Sequence, residues 1–161
     1  MKINDNAWIA PNATIKGNVE IEANASIWFQ SVLRAEHAKI LIKKESNIQD
    51  HCVIHCDEGY DTIVSEGCTV GHGAILHGCT IEKNTLIGMG AIVLNGAKIK
   101  KNSIVAAGSL VPQNKEYEEG MLILGSPAKA IRKLTPEEIE ANALSAAEYA
   151  ELAKAYKKDQ Y

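Results

Sequence analysis

The stretch IEKNTLIGMGAIVLNGAKIKKNSIVAAGSLV, residues 81–111, carries an aliphatic residue at every sixth position. These residues are Ile81, Ile87, Val93, Ile99, Val105 and Val111. A small residue follows four positions after each of the first five, as Thr85, Ala91, Ala97, Ser103 and Ser109. A helix would repeat every 3.6 residues and a simple amphipathic strand every two. The period of six therefore predicts short flat strands joined by tight corners, with three strands in each turn of a triangular prism.

The same period extends towards the N-terminus with interruptions. Its earlier members are Ile9, Ile15, Ile21, Ile27, Leu33, Ile42, Ile48, Ile54, Val64, Val70 and Leu76. We predict a three-residue insertion before Ile42, a four-residue loop at CDEGYD, and one five-residue step from Leu76 to Ile81. Gly and Asn recur at the expected corners, where a tight turn needs positive φ. The aliphatic side chains are expected to point into the prism, with backbone hydrogen bonds joining coils ~4.8 Å apart.

This pattern resembles the hexapeptide-repeat family of left-handed parallel β-helices over roughly residues 7–112. The left hand follows from the resemblance, because crossover rules favour the right hand. We expect a mainly β fold in which residues 1–134 form the β-helix and a linker, GSPAKAIRKL. Residues 135–161 are predicted to form a C-terminal α-helix that packs on the prism or on a neighbouring subunit. Thr135, Pro136 and Glu138 supply its N-cap signals, and a narrow apolar stripe follows at Ile139, Ala143, Ala146, Ala150 and Ala153.

Composition narrows the class of protein. The net charge of −3, with both signs spread along the chain, argues against a nucleic-acid partner, which usually demands a basic face. No apolar run has the length of a signal peptide or of a bilayer span, so no membrane partner is expected. The four cysteines, Cys52, Cys56, Cys68 and Cys79, show no C-x-x-C spacing and are interpreted as reduced thiols. We therefore expect a soluble cytoplasmic protein.

Hexad arithmetic places two histidines together. Ile54 and Leu76 are one full turn apart on the same side of the prism, and each is followed by a histidine. His55 and His77 are therefore predicted to be stacked, pointing outward, ~5 Å apart at Cα. Two imidazoles so placed are able to share one metal ion.

His72 occupies a different position in the repeat. It lies two residues after Val70, on another side of the prism, and is not expected to join the other two histidines within one chain. A threefold oligomer would bring the His72 side of one subunit against His55 and His77 of the next. Three nitrogen ligands with an open fourth position are typical of a catalytic zinc site.

The same arithmetic places a cation and an anion beside these histidines. Arg34 is expected one coil below His55, and Asp50 one coil below His72, with Gln49 on the His72 side. Arg34 and Asp50 would then meet across the subunit interface, where the pair fixes register but contributes little net stability after desolvation. His37 and His51 show no such alignment and are interpreted as structural or surface residues.

Three segments resemble the γ-class carbonic anhydrases: SIWFQSVLRAE at 26–36, SNIQDHCVIH at 46–55 and VGHGAILHGC at 70–79. The resemblance implies that His55 and His77 of one subunit and His72 of the next bind a metal in a homotrimer. The implied reaction is the hydration of carbon dioxide to bicarbonate by metal-activated hydroxide. Zinc is the first candidate for the metal, and three histidines also suit iron(II) or cobalt(II).

The resemblance also implies roles for the surrounding polar residues. Gln49 aligns with the residue that orients the hydroxide, and Asn47 with a residue that positions that glutamine. Arg34 and Asp50 align with the interface ion pair. Glu36 stands where the family carries an aspartate, so the acid is one methylene longer here.

The interval after His55 also departs from the prototype of the family. The prototype carries a long acidic loop with a proton-shuttling glutamate, whereas this chain has only the short CDEGYDT segment. Asp57, Glu58 and Asp61 are the acids available there. Cys56, Asn142 and Tyr149 are additional candidates near the site, with core or surface roles as the alternative.

Two other functions fit the same fold. A hexapeptide-repeat acyltransferase would bind CoA between subunits and use one histidine as a general base. A metal-binding homologue with little or no turnover would keep the three histidines, and the short acidic loop is consistent with it. Fold alone does not separate these functions. Three convergent histidines favour the metalloenzyme, because an acyltransferase needs only one.

Overall fold

The computed structural model describes residues 1–159. It contains a left-handed parallel β-helix of about 7 turns followed by one α-helix, as the period of six predicts. The strands are β1 (Lys2–Ile3), β2 (Trp8–Ile9), β3 (Thr14–Ile21), β4 (Ser26–Ile27), β5 (Val32–Ile42), β6 (Asn47–Ile48), β7 (Val53–His55), β8 (Thr62–Val64), β9 (Thr69–Val70), β10 (Ile75–His77), β11 (Thr80–Ile81), β12 (Leu86–Ile87), β13 (Ile92–Val93), β14 (Lys98–Ile99), β15 (Ile104–Val105), β16 (Leu110–Val111), β17 (Met121–Gly125) and β18 (Ala128–Lys133), and the helix is α1 (Pro136–Lys157).

The parallel strands form three faces of the prism. The helix face contains β2, β4, β6, β9, β12, β15 and β17. The histidine face contains the first parts of β3 and β5, then β7, β10, β13 and β16. The third face contains β1, the second parts of β3 and β5, then β8, β11 and β14. Because β3 and β5 each run around a corner, they belong to two faces.

The inward-facing aliphatic residues fill the prism. Fourteen residues of the period of six, drawn from all three faces, are 0% exposed. They are Ile27, Leu33, Ile42, Ile48, Ile54, Val64, Val70, Leu76, Ile81, Ile87, Val93, Ile99, Val105 and Val111. Burial of each such side chain contributes about 1.5–3 kcal/mol relative to an exposed one. Corners between strands are made in part by non-glycine residues with positive φ, such as Asn84 at 53° and His51 at 59°.

The interruptions fall where the hexad count places them. Pairing of β3 with β5 shifts between Gly17 and Val19, where three extra residues of β5 bulge out before Ile40. A second loop follows His55, and Asp57 and Tyr60 close it through an isolated antiparallel bridge. Neither loop breaks the stacking of the coils, so the register predicted for the outward side chains is preserved.

The segment after the prism differs from the expected linker. Residues 121–133 form an antiparallel hairpin of β17 and β18 on the edge of the helix face. The last full hexad ends at Val111, but β17 still pairs in parallel with β15 and buries Ile123 in the core. The Gly-Ser-Pro sequence therefore makes a hairpin turn, with a cis peptide bond between Ser126 and Pro127.

The helix lies on the helix face of its own prism, in contact with β2, β4, β6 and β9. Ala146 and Ala153 of the predicted apolar stripe are buried, whereas Ala143 is exposed. Asn142 takes the buried place instead, and its Nδ2 donates to the Asn84 and Ser103 carbonyl oxygens at 3.2 Å each. None of the helical segments within residues 1–159 combines the length and apolarity needed to cross a bilayer.

The start of the helix is fixed by a capping box. Glu138 N–H donates to Thr135 Oγ1 at 3.2 Å, and Thr135 N–H donates to Glu138 Oε2 at 2.9 Å. Arg132 also donates two hydrogen bonds of 2.8 Å to the Glu138 carboxylate. This guanidinium and the Thr135 N–H lower the pKa of Glu138 to about 2.

The depressed pKa of Glu138 predicts a pH-dependent contribution to stability. Glu138→Gln keeps a side chain that suits a capping box but removes the charge that pairs with Arg132. Because the folded-state pKa is lowered, the stabilisation is present above the unfolded value near 4.5 and is lost as the pH falls towards about 2. We expect Glu138→Gln to unfold at lower urea concentration than wild type at pH 7, and most of this difference to be lost at pH 2. A difference that is independent of pH would contradict this account.

Candidate metal centre

Two of the predicted ligands lie side by side on the histidine face. His55 ends β7 and His77 ends β10, and the two residues are direct partners in the parallel pairing of these strands. Their ring centroids are 4.9 Å apart, and His55 Nδ1 lies 2.9 Å from His77 Nε2. Arg34 pairs with His55 in the next coil, as the hexad count predicts.

The outer nitrogen of each ring contacts an oxygen. His55 Nε2 lies 3.1 Å from Glu36 Oε2, and His77 Nδ1 lies 2.6 Å from Asn95 Oδ1. The amide of Asn95 is oriented because its Nδ2 donates to Asp57 Oδ2 at 2.9 Å. A carboxylate and an amide oxygen only accept hydrogen bonds, so these contacts place the proton of each neutral imidazole on its outer nitrogen.

The inner nitrogens therefore face each other with their lone pairs. At a separation of 2.9 Å, these two nitrogens share either one proton in a hydrogen bond or one metal ion that takes the place of that proton. Metal-ligating histidines commonly donate their other N–H to a carboxylate or carbonyl oxygen, which fixes the tautomer. The donor set thus fits a divalent metal ion that accepts imidazole nitrogen, such as zinc, iron(II) or cobalt(II).

The hexad count did not identify Asn95 as part of this centre. Asn95 follows the coil above His77, because Val93 pairs with Leu76. Its side chain lies over Gly78, where a Cβ atom would come within 2.3 Å of Asn95 Oδ1. The glycine after His77 is the sequence signal for this contact, since only glycine leaves room for the amide to reach the imidazole.

Glu36 contacts two residues of its own chain. Its carboxylate forms an ion pair with Arg34 and lies against His55 Nε2. The hydrogen bond from Arg34, followed by that from His55, lowers the pKa of Glu36. The longer glutamate side chain therefore reaches the imidazole ring of His55 in its own chain. Asp50, which is expected to meet Arg34 of another subunit, lies beside His72 in its own chain as the hexad count predicts, with its Oδ2 2.8 Å from His72 Nδ1.

His72 lies away from the histidine pair, as the register predicts. It occupies the corner between the helix face and the histidine face, after β9. Within residues 1–159, the group of side chains able to hold a metal ion consists of His55, Asp57 and His77. His72 is not a member of this group, and its side chain is 43% exposed. It is thus available to a neighbouring molecule.

Gln49 and Asn47 form a buried chain of hydrogen bonds that ends at His72. Asn47 Nδ2 donates to Thr69 Oγ1 at 3.0 Å, and Gln49 Nε2 donates to Asn47 Oδ1 at 3.2 Å. Gln49 Oε1 then accepts from His72 N–H at 3.2 Å. Gln49 is 6% exposed and Asn47 is 1% exposed. The predicted positioning of Gln49 by Asn47 therefore has a physical basis in this network.

A groove of about 440 Å³ runs beside His72 on the helix face. Small and aliphatic residues line most of it, together with Gln49 and Tyr149. Tyr149 packs edge-on against Trp28 with ring centroids 5.2 Å apart. Burial, and then the charge of Asp50, raise the pKa of Tyr149. The tyrosine therefore carries a neutral hydroxyl group beside the groove.

The remaining candidates have structural positions. Asn142 anchors the helix and is 3% exposed, so it does not line a neighbouring site. Cys56 is 1% exposed, and burial raises the pKa of its thiol. Burial raises the pKa of Cys52, Cys68 and Cys79 to about 12. Nucleophilic thiolate chemistry is therefore disfavoured at all four cysteines.

The fold and the paired histidines define the class of protein: a hexapeptide-repeat β-helix with a candidate histidine metal site. The bacterial transferase hexapeptide family matches residues 1–35 and 78–113. A protein of Methanocaldococcus jannaschii named "Probable carbonic anhydrase" is 49% identical over 158 residues, covering 96% of this chain and 99% of that protein. "Gamma carbonic anhydrase 1, mitochondrial" of Arabidopsis thaliana is 40% identical over 160 residues, covering 96% of this chain and 58% of that protein. The chain belongs to the γ-class carbonic anhydrase family.

Solved structures share the same architecture. A hexapeptide transferase family protein from Anaplasma phagocytophilum is 42% identical, with a TM-score of 0.93 over 96% of this chain and 92% of that chain. AntD, an N-acyltransferase from Bacillus cereus, is 16% identical, with a TM-score of 0.75 over 91% of each chain. The second likeness shows the fold alone.

Proposed function

We propose that this protein is a homotrimeric metalloenzyme that catalyses the reversible hydration of carbon dioxide to bicarbonate. The single observation that carries the proposal is the facing pair of imidazole nitrogens, 2.9 Å apart, with outer-nitrogen partners that set both tautomers. Two such nitrogens make an incomplete centre. His72 completes it when a second molecule places its exposed corner against the histidine face, which gives three nitrogen ligands and one open position.

The surface of the histidine face supports a subunit contact there. Beside the imidazoles runs an outward-facing apolar ladder, formed by Val32, Val53, Ile75, Ile92 and Leu110. Val53 is 41% exposed. At the His72 corner, Met89 is 60% exposed, and the adjacent Gly90 N–H donates to the His72 carbonyl oxygen. Exposed apolar strips of this kind mark protein interfaces. The apolar His72 corner of one subunit is therefore suited to pack against the apolar ladder on the histidine face of the next.

The residues around the centre have distinct tasks in the proposed reaction. When bound, a divalent cation supplies Lewis-acid chemistry and lowers the pKa of water from 15.7 to about 7. Glu36 and Asn95 hold the two imidazoles in the tautomers that turn their lone pairs inward. Gln49 accepts a hydrogen bond from His72 N–H. Its Oε1 retains a second lone pair that orients the attacking water. Asn47 fixes the direction of that amide.

Gln49→Ala is expected to keep one metal ion per subunit and to slow carbon dioxide hydration by about 10- to 100-fold, the usual effect of removing a residue that orients a metal site. The side chain contacts the backbone of His72, not its ring, so coordination should be unaffected. Metal content and stopped-flow hydration measure the two effects. Thr69→Val removes only the outermost hydrogen bond of the same network and keeps Gln49, so it should slow hydration less than Gln49→Ala does. Loss of metal in Gln49→Ala would make this residue structural.

Arg34 and Asp50 are proposed to meet across the interface. In one chain Arg34 pairs with Glu36, which contacts His55, and Asp50 pairs with His72, so each charge lies close to one of the proposed ligands. Contact between them would fix the register of the trimer while adding little net stability.

The proposal is tested by elemental analysis of the purified protein together with a stopped-flow carbon dioxide hydration assay. We expect about one divalent metal ion per chain, and activity that disappears on treatment with a chelator and returns with zinc. Bound metal without carbon dioxide hydration activity would identify a metal-binding homologue of the family that has lost turnover. Absence of metal in active protein would contradict the proposed chemistry.

The groove beside His72 favours one rival function. Its volume of about 440 Å³ exceeds the needs of carbon dioxide, and AntD shows that the fold is compatible with acyl transfer. In an acyltransferase, His72 paired with Asp50 would act as the general base that activates the acceptor of the acyl group. Micromolar binding of acetyl-CoA by metal-free protein would support the acyltransferase. No binding, with metal-dependent hydration, would exclude it.

A further inference from the structure

The loop that follows His55 holds a carboxylate against the histidine face. Asp57 and Tyr60 form a bridge across the loop, and Tyr60 N–H donates to the Asp57 carbonyl oxygen at 2.9 Å. The Tyr60 side chain packs over Gly78 and Gly96, where added Cβ atoms would lie 2.8 and 3.2 Å from it. The loop is therefore closed down on the prism, and Asp57 is held beside the imidazoles.

The two oxygens of Asp57 have different surroundings. Oδ2 accepts from Asn95 Nδ2 at 2.9 Å, and the same amide contacts His77 Nδ1 through its oxygen. Oδ1 lies 4.0 Å from His77 Nε2, the nitrogen that faces His55. One carboxylate oxygen is thus tied to the residue that orients His77, and the other is directed towards the inner nitrogens.

The three ligand atoms are close enough to share one cation. The donor atoms of His55, Asp57 and His77 all lie within 4.8 Å of one another. Ligands that each bind zinc at about 2.0–2.2 Å lie up to about 4 Å apart. The Asp57 side chain is 53% exposed, so a small rotation brings Oδ1 into range without disturbing the core. Two histidines and one carboxylate form a ligand set that catalytic zinc sites use.

We propose that Asp57 is the third ligand of a metal site completed within one chain, which holds a divalent cation before the subunits assemble. This inference rests on the proposed metalloenzyme function and adds an order of events to it. The single chain captures the cation with His55, His77 and Asp57. His72 of the partner subunit then joins the centre when the trimer forms. The short loop after His55 thereby gains a role in metal capture.

The test measures zinc affinity in His72→Ala protein, where the ligand from the partner is removed. Zinc is titrated against a competing chelator into metal-free His72→Ala, His72→Ala/Asp57→Asn and His72→Ala/Glu58→Gln. The two acids are adjacent in the same loop and both changes remove one negative charge, so Glu58→Gln controls for the general electrostatic effect. Circular dichroism confirms that each variant is folded, and cobalt(II) absorption gives a second readout of the ligand number.

We expect His72→Ala to bind one zinc per chain, more weakly than wild type. Asp57→Asn should lower that affinity by about tenfold or more, while Glu58→Gln changes it by less than about twofold. Equal affinities of the Asp57 and Glu58 variants would overturn the inference. So would wild-type protein that binds zinc while His72→Ala binds none, a result that leaves the interfacial centre standing. Wild-type protein that binds no zinc would remove both the inference and the proposed function.

Discussion

His77→Ala is expected to lose its metal ion and at least about 10³-fold of its carbon dioxide hydration rate. His77 supplies one of the two facing nitrogens, and its removal leaves His55 alone on this face. Without the cation, the pKa of water returns from about 7 towards 15.7, so hydroxide is scarce at neutral pH. Elemental analysis and stopped-flow hydration give the two results. The imidazole is outward-facing, so the fold should be retained.

His37→Ala is the matched control for this substitution. His37 is exposed in the three-residue insertion of β5 and is not among the groups that form a metal cluster within residues 1–159. We expect wild-type metal content and activity from it. Full metal content in His77→Ala would show that the cation is bound elsewhere on the chain and would contradict the proposed centre.

His72→Ala is expected to lose hydration activity to a similar extent, even though its side chain does not contact the histidine pair of its own chain. The corner position and the contact with Asp50 leave the ring directed away from the prism core. Removal of the His72 ring should therefore leave the fold and the local geometry of His55 and His77 unchanged. It should remove only the third nitrogen ligand. Stopped-flow hydration at saturating zinc separates lost catalysis from weakened binding. Undiminished activity at saturating zinc would mean that another group supplies the third ligand.

The hexad period was sufficient to predict the prism and the register of its outward side chains. A one-residue error in the count would have moved every histidine to another face. The stacking of His77 on His55, and of His55 on Arg34, instead follows the count. The insertions caused no error, because each begins and ends at a corner and leaves the coils above and below in contact.

Contacts that depend on side-chain length and on loops could not be predicted in this way. Glu36 reaches His55 because a glutamate is one methylene longer than an aspartate, and this distance is invisible to a hexad count. Asn95 reaches His77 only because Gly78 leaves space below it. Asp57 depends on how the four-residue loop closes. These three residues surround the histidine pair, so the sequence predicted the nitrogen donors better than their surroundings.

The sequence predicted that the C-terminal segment is a helix, but it did not predict which residues of the helix contact the prism. The capping signals at Thr135 and Glu138 correctly marked the start of the helix. The apolar stripe was too narrow to define the packed face, because the contact is made largely by aromatic rings. Trp8, Trp28 and Tyr156 lie with centroids 4.7–5.2 Å apart between prism and helix. Asn142, buried by hydrogen bonds to the prism, cannot be recognised from hydrophobic periodicity.

The central claim is that each centre takes His55 and His77 from one chain and His72 from another. Mixing His77→Ala chains with His72→Ala chains tests it most directly. In randomly mixed trimers of equal composition, about a quarter of the interfaces join an intact histidine pair to an intact His72. The account predicts that two inactive proteins, unfolded and refolded together, recover about a quarter of the wild-type hydration rate. No recovery in preparations shown to contain mixed trimers would contradict it.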